Sequence, residues 1–275
     1  MLNRARTLWR LYRLNGLQGT LRRVQLQMGW RRYGTDPATS EAHASAQQEL
    51  ATPPLQDSIA VYTAQYGSAH ALPTPTNKLP HICFTDVLAF RADGWDVRYM
   101  PMADTSRRAA RRLKLLPHHF LHEFDWWVWH DASLQLTTSA AALACQCLES
   151  GRELATFRHP ERDCVYREAE AVNWYHLDDP RVVESQVNRY RQIGFPSRFG
   201  LLETALLVRR NVPAVRELNE AWFEELSQGS ERDQLSLMPC LWQSGLKWHE
   251  LEGCREDNPY SQYDAATLGG GRSSC

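Results

Sequence analysis

The segment FDWWVWHDASLQL, Phe124 to Leu136, sets Asp131 directly behind an apolar run that contains Trp126, Trp127 and Trp129. A carboxylate at the end of such a run is costly unless water, a cation or a ligand partners it. It could cap the following helix, but Thr137, Thr138 and Ser139 are better placed for that, which favours a functional role. Just upstream, Thr105 to Lys114 carries Arg107, Arg108, Arg111, Arg112 and Lys114. Helical spacing puts Arg108, Arg111 and Arg112 around one face, with Lys114 further round. An arginine fork matches phosphate oxygens, so one or two of these cations suit a diphosphate, while solvation is the ordinary fate of the rest.

Other candidates are scattered, and each has a plainer reading. Asp86 follows ICFT, where it is either a ligand contact or a turn aspartate. Asp233, with Gln234 in RDQ, is a base, an acceptor-orienting group or a helix-start carboxylate favoured by the dipole. Glu203 is a charge inside the apolar GLLETALLV, and buried charges mark sites but also form structural pairs. His159, with Arg162 and Asp163 in FRHPERD, follows a strand and either lines a pocket or is structural. His249 in KWHEL is not distinguished by its spacing from a surface histidine. His118, His119 and His122 invite a metal, but with no second ligand set they read as a polar helix end.

The elements that must position these residues alternate. SIAVYTAQYG, HICFTD, WDVRYMP, DWWVWHDASLQL, ELATFRHP, GLLETALLVRRN and LKWHELEG are strand-like, and helix-like stretches lie between them. Alternation of this kind predicts an α/β fold, a mostly parallel sheet with helices on both faces. Trp126 to Trp129 is apolar at four consecutive positions, as a central strand buried on both sides requires. Ligands in such sheets bind beyond the carboxyl ends of the strands, where Asp86, His130, Asp131 and Ser133 fall.

The net charge of −1 conceals an asymmetry, because Met1 to Gly34 holds eight arginines and no acidic residue, leaving −9 for the remainder. An acidic body excludes a protein that tracks nucleic-acid phosphates over its whole surface. Leu8, Leu11, Tyr12, Leu14, Leu17, Leu21 and Val24 recur near helical spacing among the arginines. That is the pattern of a basic amphipathic helix, either on an anionic membrane or docked on the body. Residues 35–57 are small, polar and proline-containing and read as a linker; the body follows over 58–253, with 254–275 as a tail. The seven cysteines are odd in number and have no CxxC spacing, so they read as reduced thiols. Neither a membrane span nor a secretory signal is evident, and a cytoplasmic location is expected.

Taken in order, YTAQYG, ICFTD, RRAARRLKLLPHHFL, WVWHDASLQL, FRHPERDCVYREA and RDQLSL resemble the glycosyltransferase-like domain family of the plant seed-mucilage synthesis type. The resemblance covers about Ser58 to Gly253 and implies a GT-A-like plan acting on a nucleotide-sugar donor. Such enzymes place a D-x-D motif at the end of a central strand, where it holds Mn²⁺ or Mg²⁺ against the diphosphate. Here Asp131, Ala132 and Ser133 occupy that place. The first carboxylate is kept and the second is a hydroxyl, a weak set for a hard divalent cation. Without a metal, the arginines and Lys114 would have to stabilise the leaving diphosphate.

By the same resemblance Asp131 anchors the donor, with Asp86, Arg108, Arg112, Lys114, Ser133 and His159 around it. Asp131, Asp233 and Glu203 are the catalytic candidates. The expected activity is sugar transfer to a glycan or glycolipid acceptor at the cytoplasmic membrane surface, reached through residues 1–34. Hydrolysis of a lipid amide and non-catalytic nucleotide or sugar binding are the alternatives.

Overall fold

The computed structural model describes residues 57–102 and 104–263, with Tyr263 described by its backbone alone. The basic helix expected over 1–34, nearly all of the linker and residues 264–275 lie outside the described residues. The strands are β1 (Ile59–Gln65), β2 (His81–Thr85), β3 (Asp96–Tyr99), β4 (Trp126–His130), β5 (Leu134–Leu136), β6 (Leu154–Arg158), β7 (Leu202–Arg210), β8 (His249–Leu251) and β9 (Ser261–Tyr263). The helices are α1 (Ser106–Leu115), α2 (Ala140–Glu149), α3 (Val165–Trp174), α4 (Pro180–Gln192), α5 (Pro213–Ser227) and α6 (Asp233–Ser244).

Seven strands form one sheet in the order β3-β2-β1-β4-β7-β6-β8, and β5 pairs with β9 in a separate ribbon. All neighbours in the large sheet are parallel except at β7, which runs against both β4 and β6. The expected α/β plan of a mostly parallel sheet with helices on both faces is thus present, with one reversed strand. Residues 254–263, read from sequence as the start of a tail, instead supply β9 and pack on the body. Their apolar anchor is the buried Tyr260, whose ring lies 6.1 Å from that of Phe157.

Alternation along β4 explains the tryptophan run. Trp126 and Val128 face α2, together with Ile59, Val61, Leu143 and Val208. Trp127 and Trp129 face the thicker layer of the other helices, packed with Tyr62, Leu113, Trp222 and Leu237. Trp126 and Trp127 are fully buried. Truncating either to alanine is expected to cost about 3–5 kcal/mol.

Local chemistry sets the helix ends. Thr105 caps α1 by accepting from the Arg108 N–H, and α1 ends where Pro117 excludes Leu116 from helical geometry. Asp179 caps α4 ahead of Pro180, and Gly245 closes α6 in the left-handed region at φ 68°. Between β6 and β7 the chain forms two helices, α3 and α4.

Candidate active site

Because β7 is reversed, its first residues meet the carboxyl ends of β4 and β6. Asp131 leaves β4 with its N–H donating to the Ala205 carbonyl at 2.9 Å. Its own carbonyl accepts from Leu134 at 2.9 Å, so Asp131, Ala132 and Ser133 lie on a tight turn into β5. The start of β7 is not regular: Thr156 pairs with Leu207 but the next residue, Phe157, pairs with Glu203. Thr204 to Leu206 are therefore extra residues on β7, a bulge of the kind that re-aims side chains beside sites. The Thr156 hydroxyl clasps it, reaching the carbonyls of both Glu203 and Leu206.

The bulge delivers Thr204 into a buried charge network. Lys114, 1% exposed, donates to Thr204 Oγ1 at 3.1 Å and pairs with Asp233 Oδ2 at 2.6 Å. The same ammonium lies 3.5 Å from Asp131 Oδ1 and 5.5 Å from the Trp129 ring centroid. Thr204 Oγ1 donates onward to Asp233 Oδ2 at 2.9 Å, and Arg111 stands 3.5 Å from Asp233 Oδ1. The Trp129 indole N–H donates to Asp131 Oδ1 at 3.0 Å. One tryptophan therefore holds Asp131 by its edge and Lys114 by its face.

Burial alone would raise the Asp233 carboxyl, but Arg111, Lys114 and the Thr204 hydroxyl pull it well below the usual carboxylate range. Burial lowers the Lys114 ammonium, against the opposing pull of Asp131 and Asp233.

Glu203 points elsewhere. Its Oε2 accepts the Arg255 N–H at 2.9 Å, and burial pushes its carboxyl up to about 7. It lines a cavity of about 160 Å³ together with His159, Arg162, Glu168, Gln234 and Arg255. A wider groove of about 560 Å³ shares His159 and Arg162 and continues past Arg158 and Asp257. His159 is fixed there: its Nδ1 meets the N–H groups of Glu161 and Arg162 at 3.1 Å each, and Arg162 Nε donates to Glu168 at 2.5 Å.

The structure thus brings Asp131, Lys114 and Asp233 into one network and places Glu203 and His159 on a neighbouring cavity. The remaining candidates stand apart from that network. Asp86 directs both carboxylate oxygens at the Gly67 N–H, at 2.9 and 3.1 Å, and so ties the ends of β1 and β2. Arg108 faces Glu231 at 3.4 Å, while Arg112 is exposed and takes part in none of these contacts. Ser133 sits on the turn. His249 lies on the edge strand β8, level with Ala155 and short of the sheet's carboxyl edge. His118 and His119 meet Glu220 rather than His122, with both Nε2 atoms on one carboxylate oxygen at 2.9 and 2.7 Å. These contacts lie before β4, at the other end of the sheet, and two imidazole N–H donors to one carboxylate account for them.

Four contributors escaped the sequence reading: Thr156, Thr204, Trp129 and Arg209. Arg209 is fully buried and donates to Tyr62 Oη at 2.5 Å and Asn219 Oδ1 at 2.7 Å, and reaches the carbonyls of Lys114 and Leu115. A buried cation over the last carbonyls of α1 opposes the negative end of the helix dipole and fixes where Lys114 sits. Its signal was available, as a charge directly after the same apolar run that drew attention to Glu203. The threonines carry no comparable mark.

Comparison with known proteins bears on this arrangement. Residues 96–248 match the family described as TOD1/MUCI70, glycosyltransferase-like domain. Over 151 residues the chain is 28% identical to the "Probable hexosyltransferase MUCI70" of Arabidopsis thaliana, covering 51% of this chain and 26% of that protein. The chain therefore spans about a quarter of the length of this curated relative. The crystal structure of mouse xyloside xylosyltransferase 1 in its apo form is similar at a TM-score of 0.39 and 12% identity, over 71% of this chain and 84% of that one.

Proposed function

Since the chain belongs to the TOD1/MUCI70 glycosyltransferase-like domain family, we propose that it transfers a sugar from a nucleotide-sugar donor to a glycan or glycolipid acceptor. The observation that carries this reading is Asp131, held at the carboxyl end of the central strand by Trp129 and Lys114 with its side chain still 35% exposed. That is the place at which an open α/β sheet presents a ligand-binding group.

In this reading the donor lies against Asp131 and the acceptor occupies the cavity beside Glu203. Transfer breaks the bond from the anomeric carbon to the diphosphate oxygen, which keeps the electron pair, and forms a bond to the acceptor oxygen. The acceptor hydroxyl proton needs a base. Glu203, whose carboxyl is pushed up to about 7, is better matched to that task near neutrality than Asp233, which two cations hold ionised. Asp233 then serves to hold Lys114 and Thr204. A cysteine nucleophile for the competing hydrolase reading finds no support among the described residues: six thiols are buried, and burial pushes those of Cys83, Cys147 and Cys240 up to about 12. The arginine-rich residues 1–34 would carry the enzyme to the cytoplasmic face of an anionic membrane.

A thermal-shift panel of nucleoside diphosphates and nucleotide sugars, followed by a sugar-release assay, tests the reading. A stabilising nucleotide is expected, with its effect lost in Asp131→Asn because bound ligand stabilises by mass action. No shift with any nucleotide, together with full activity of Asp131→Asn on a lipid amide, would favour the hydrolase instead.

A further inference from the structure

The GT-A-like plan implies a divalent cation at Asp131, and the residues around Asp131 do not suit one. The motif position that would supply a second carboxylate is Ser133. Asp131 Oδ1 already meets the Trp129 indole N–H at 3.0 Å and the Lys114 ammonium at 3.5 Å. Asp233 is engaged at both oxygens, Oδ2 by Lys114 at 2.6 Å and Thr204 at 2.9 Å, Oδ1 by Arg111 at 3.5 Å.

Charge is balanced within this cluster, Asp131 and Asp233 against Lys114 and Arg111, so no net negative potential remains to attract an ion of charge two. Hard divalent cations gain affinity from the number and charge of their oxygen ligands. A single carboxylate combined with donor phosphates can hold Mg²⁺. Here, however, the same carboxylate carries a fixed ammonium that would repel it at short range. Nor can the ammonium swing aside, because Lys114 is 1% exposed and packed under the Trp129 ring.

We infer that Lys114 is the resident cation of this crevice. Its ammonium stands between Asp131 and Asp233, supplying the positive charge there, and donor binding needs no divalent cation. Lys114 is buried and acts through Asp131, so it is a positioning residue that sets the charge and orientation of the donor anchor. This inference rests on the donor-site reading above.

Electron paramagnetic resonance of Mn²⁺ added to the tag-free full chain, without nucleotide, is the first measurement. The wild type is expected to leave the free-Mn²⁺ signal unchanged. Lys114→Met, checked for folding by near-ultraviolet circular dichroism, is expected to bind one equivalent of Mn²⁺, and Lys114→Met/Asp131→Asn to lose it. The second measurement is the affinity of the nucleoside diphosphate that gives the largest thermal shift, in EDTA and in Mn²⁺. Agreement within about twofold is expected, a difference of under ~0.5 kcal/mol.

One equivalent of Mn²⁺ bound by the wild type and lost in Asp131→Asn overturns the inference. So does an affinity that collapses about tenfold or more in EDTA, or a folded Lys114→Met that binds no Mn²⁺. Should Lys114→Met fail to fold, the two wild-type measurements decide alone. If no nucleoside diphosphate binds in any buffer, the donor-site reading fails, while the Mn²⁺ titration still decides whether the carboxylates are already neutralised.

Discussion

Glu203 has a titration that folding displaces, and its consequence can be measured apart from any activity. Its carboxyl is raised from 4.5 to about 7, so the folded chain holds a proton that the unfolded chain releases. The stability this contributes is complete below pH ~4.5 and is lost as pH rises through about 7. Glu203→Gln keeps the neutral form at every pH. Relative to wild type it is expected to be stabilising at pH 8.5 and not at pH 4, by up to ~3 kcal/mol. Urea denaturation of both proteins at the two pH values checks this, and an equal difference at both would remove Glu203 as the source. The same substitution is expected to lower sugar transfer while leaving nucleotide affinity unchanged, because the residue lies on the cavity proposed for the acceptor and not beside Asp131.

Among single residues, Asp131 was the most legible, since an apolar run that stops at a charge is visible in one line of sequence. Lys114 was legible only as a cation. Helical spacing placed it off the arginine face, but which side of a helix is swallowed depends on the packing of α1 against β1 and α5, which spacing does not contain.

At the scale of elements, the start of β7 decides the geometry. Were β7 regular, period-two alternation would fix the faces of Glu203 and Thr204 from those of Leu206 and Val208. The bulge breaks that counting, and it depends on a hydroxyl of the neighbouring strand. Thr156→Val removes the clasp on the Glu203 and Leu206 carbonyls and leaves them buried without it. A loss of about 1–3 kcal/mol is expected, with weaker nucleotide binding because Thr204 no longer meets Lys114 and Asp233 squarely. Thr156→Ser is expected to restore both. Chemical denaturation and nucleotide titration of the two variants check this, and unaltered nucleotide affinity in a destabilised Thr156→Val would show that the bulge serves the fold alone. The layered plan, the central strand and most helix ends were legible because periodicity and capping residues record them locally. The reversal of β7, its bulge and the Arg209 brace on α1 were not, because each is settled by partners about 50 to 150 residues away.

For the whole molecule, charge is divided between a basic N-terminal stretch and an acidic remainder. No helix among the described residues is long and apolar enough to cross a membrane. Deleting residues 1–34 is therefore expected to leave nucleotide binding intact while abolishing partition onto vesicles containing phosphatidylserine. The partition of the full chain should weaken as salt shortens the Debye length. Sedimentation with anionic and neutral vesicles checks both points, and unchanged partition after the deletion would assign residues 1–34 to docking on the body.

The reversed strand also bears on how the molecule is made. Lys114, Asp131, Thr204 and Asp233 come from segments spread over more than a hundred residues of chain, and they meet only after β7 has inserted between β4 and β6. Loop closure over such separations is slow relative to forming any single helix. Nucleotide binding during refolding should consequently appear with the last kinetic phase, later than the recovery of helical signal, and a chain cut short of β7 should fold helices without gaining a site.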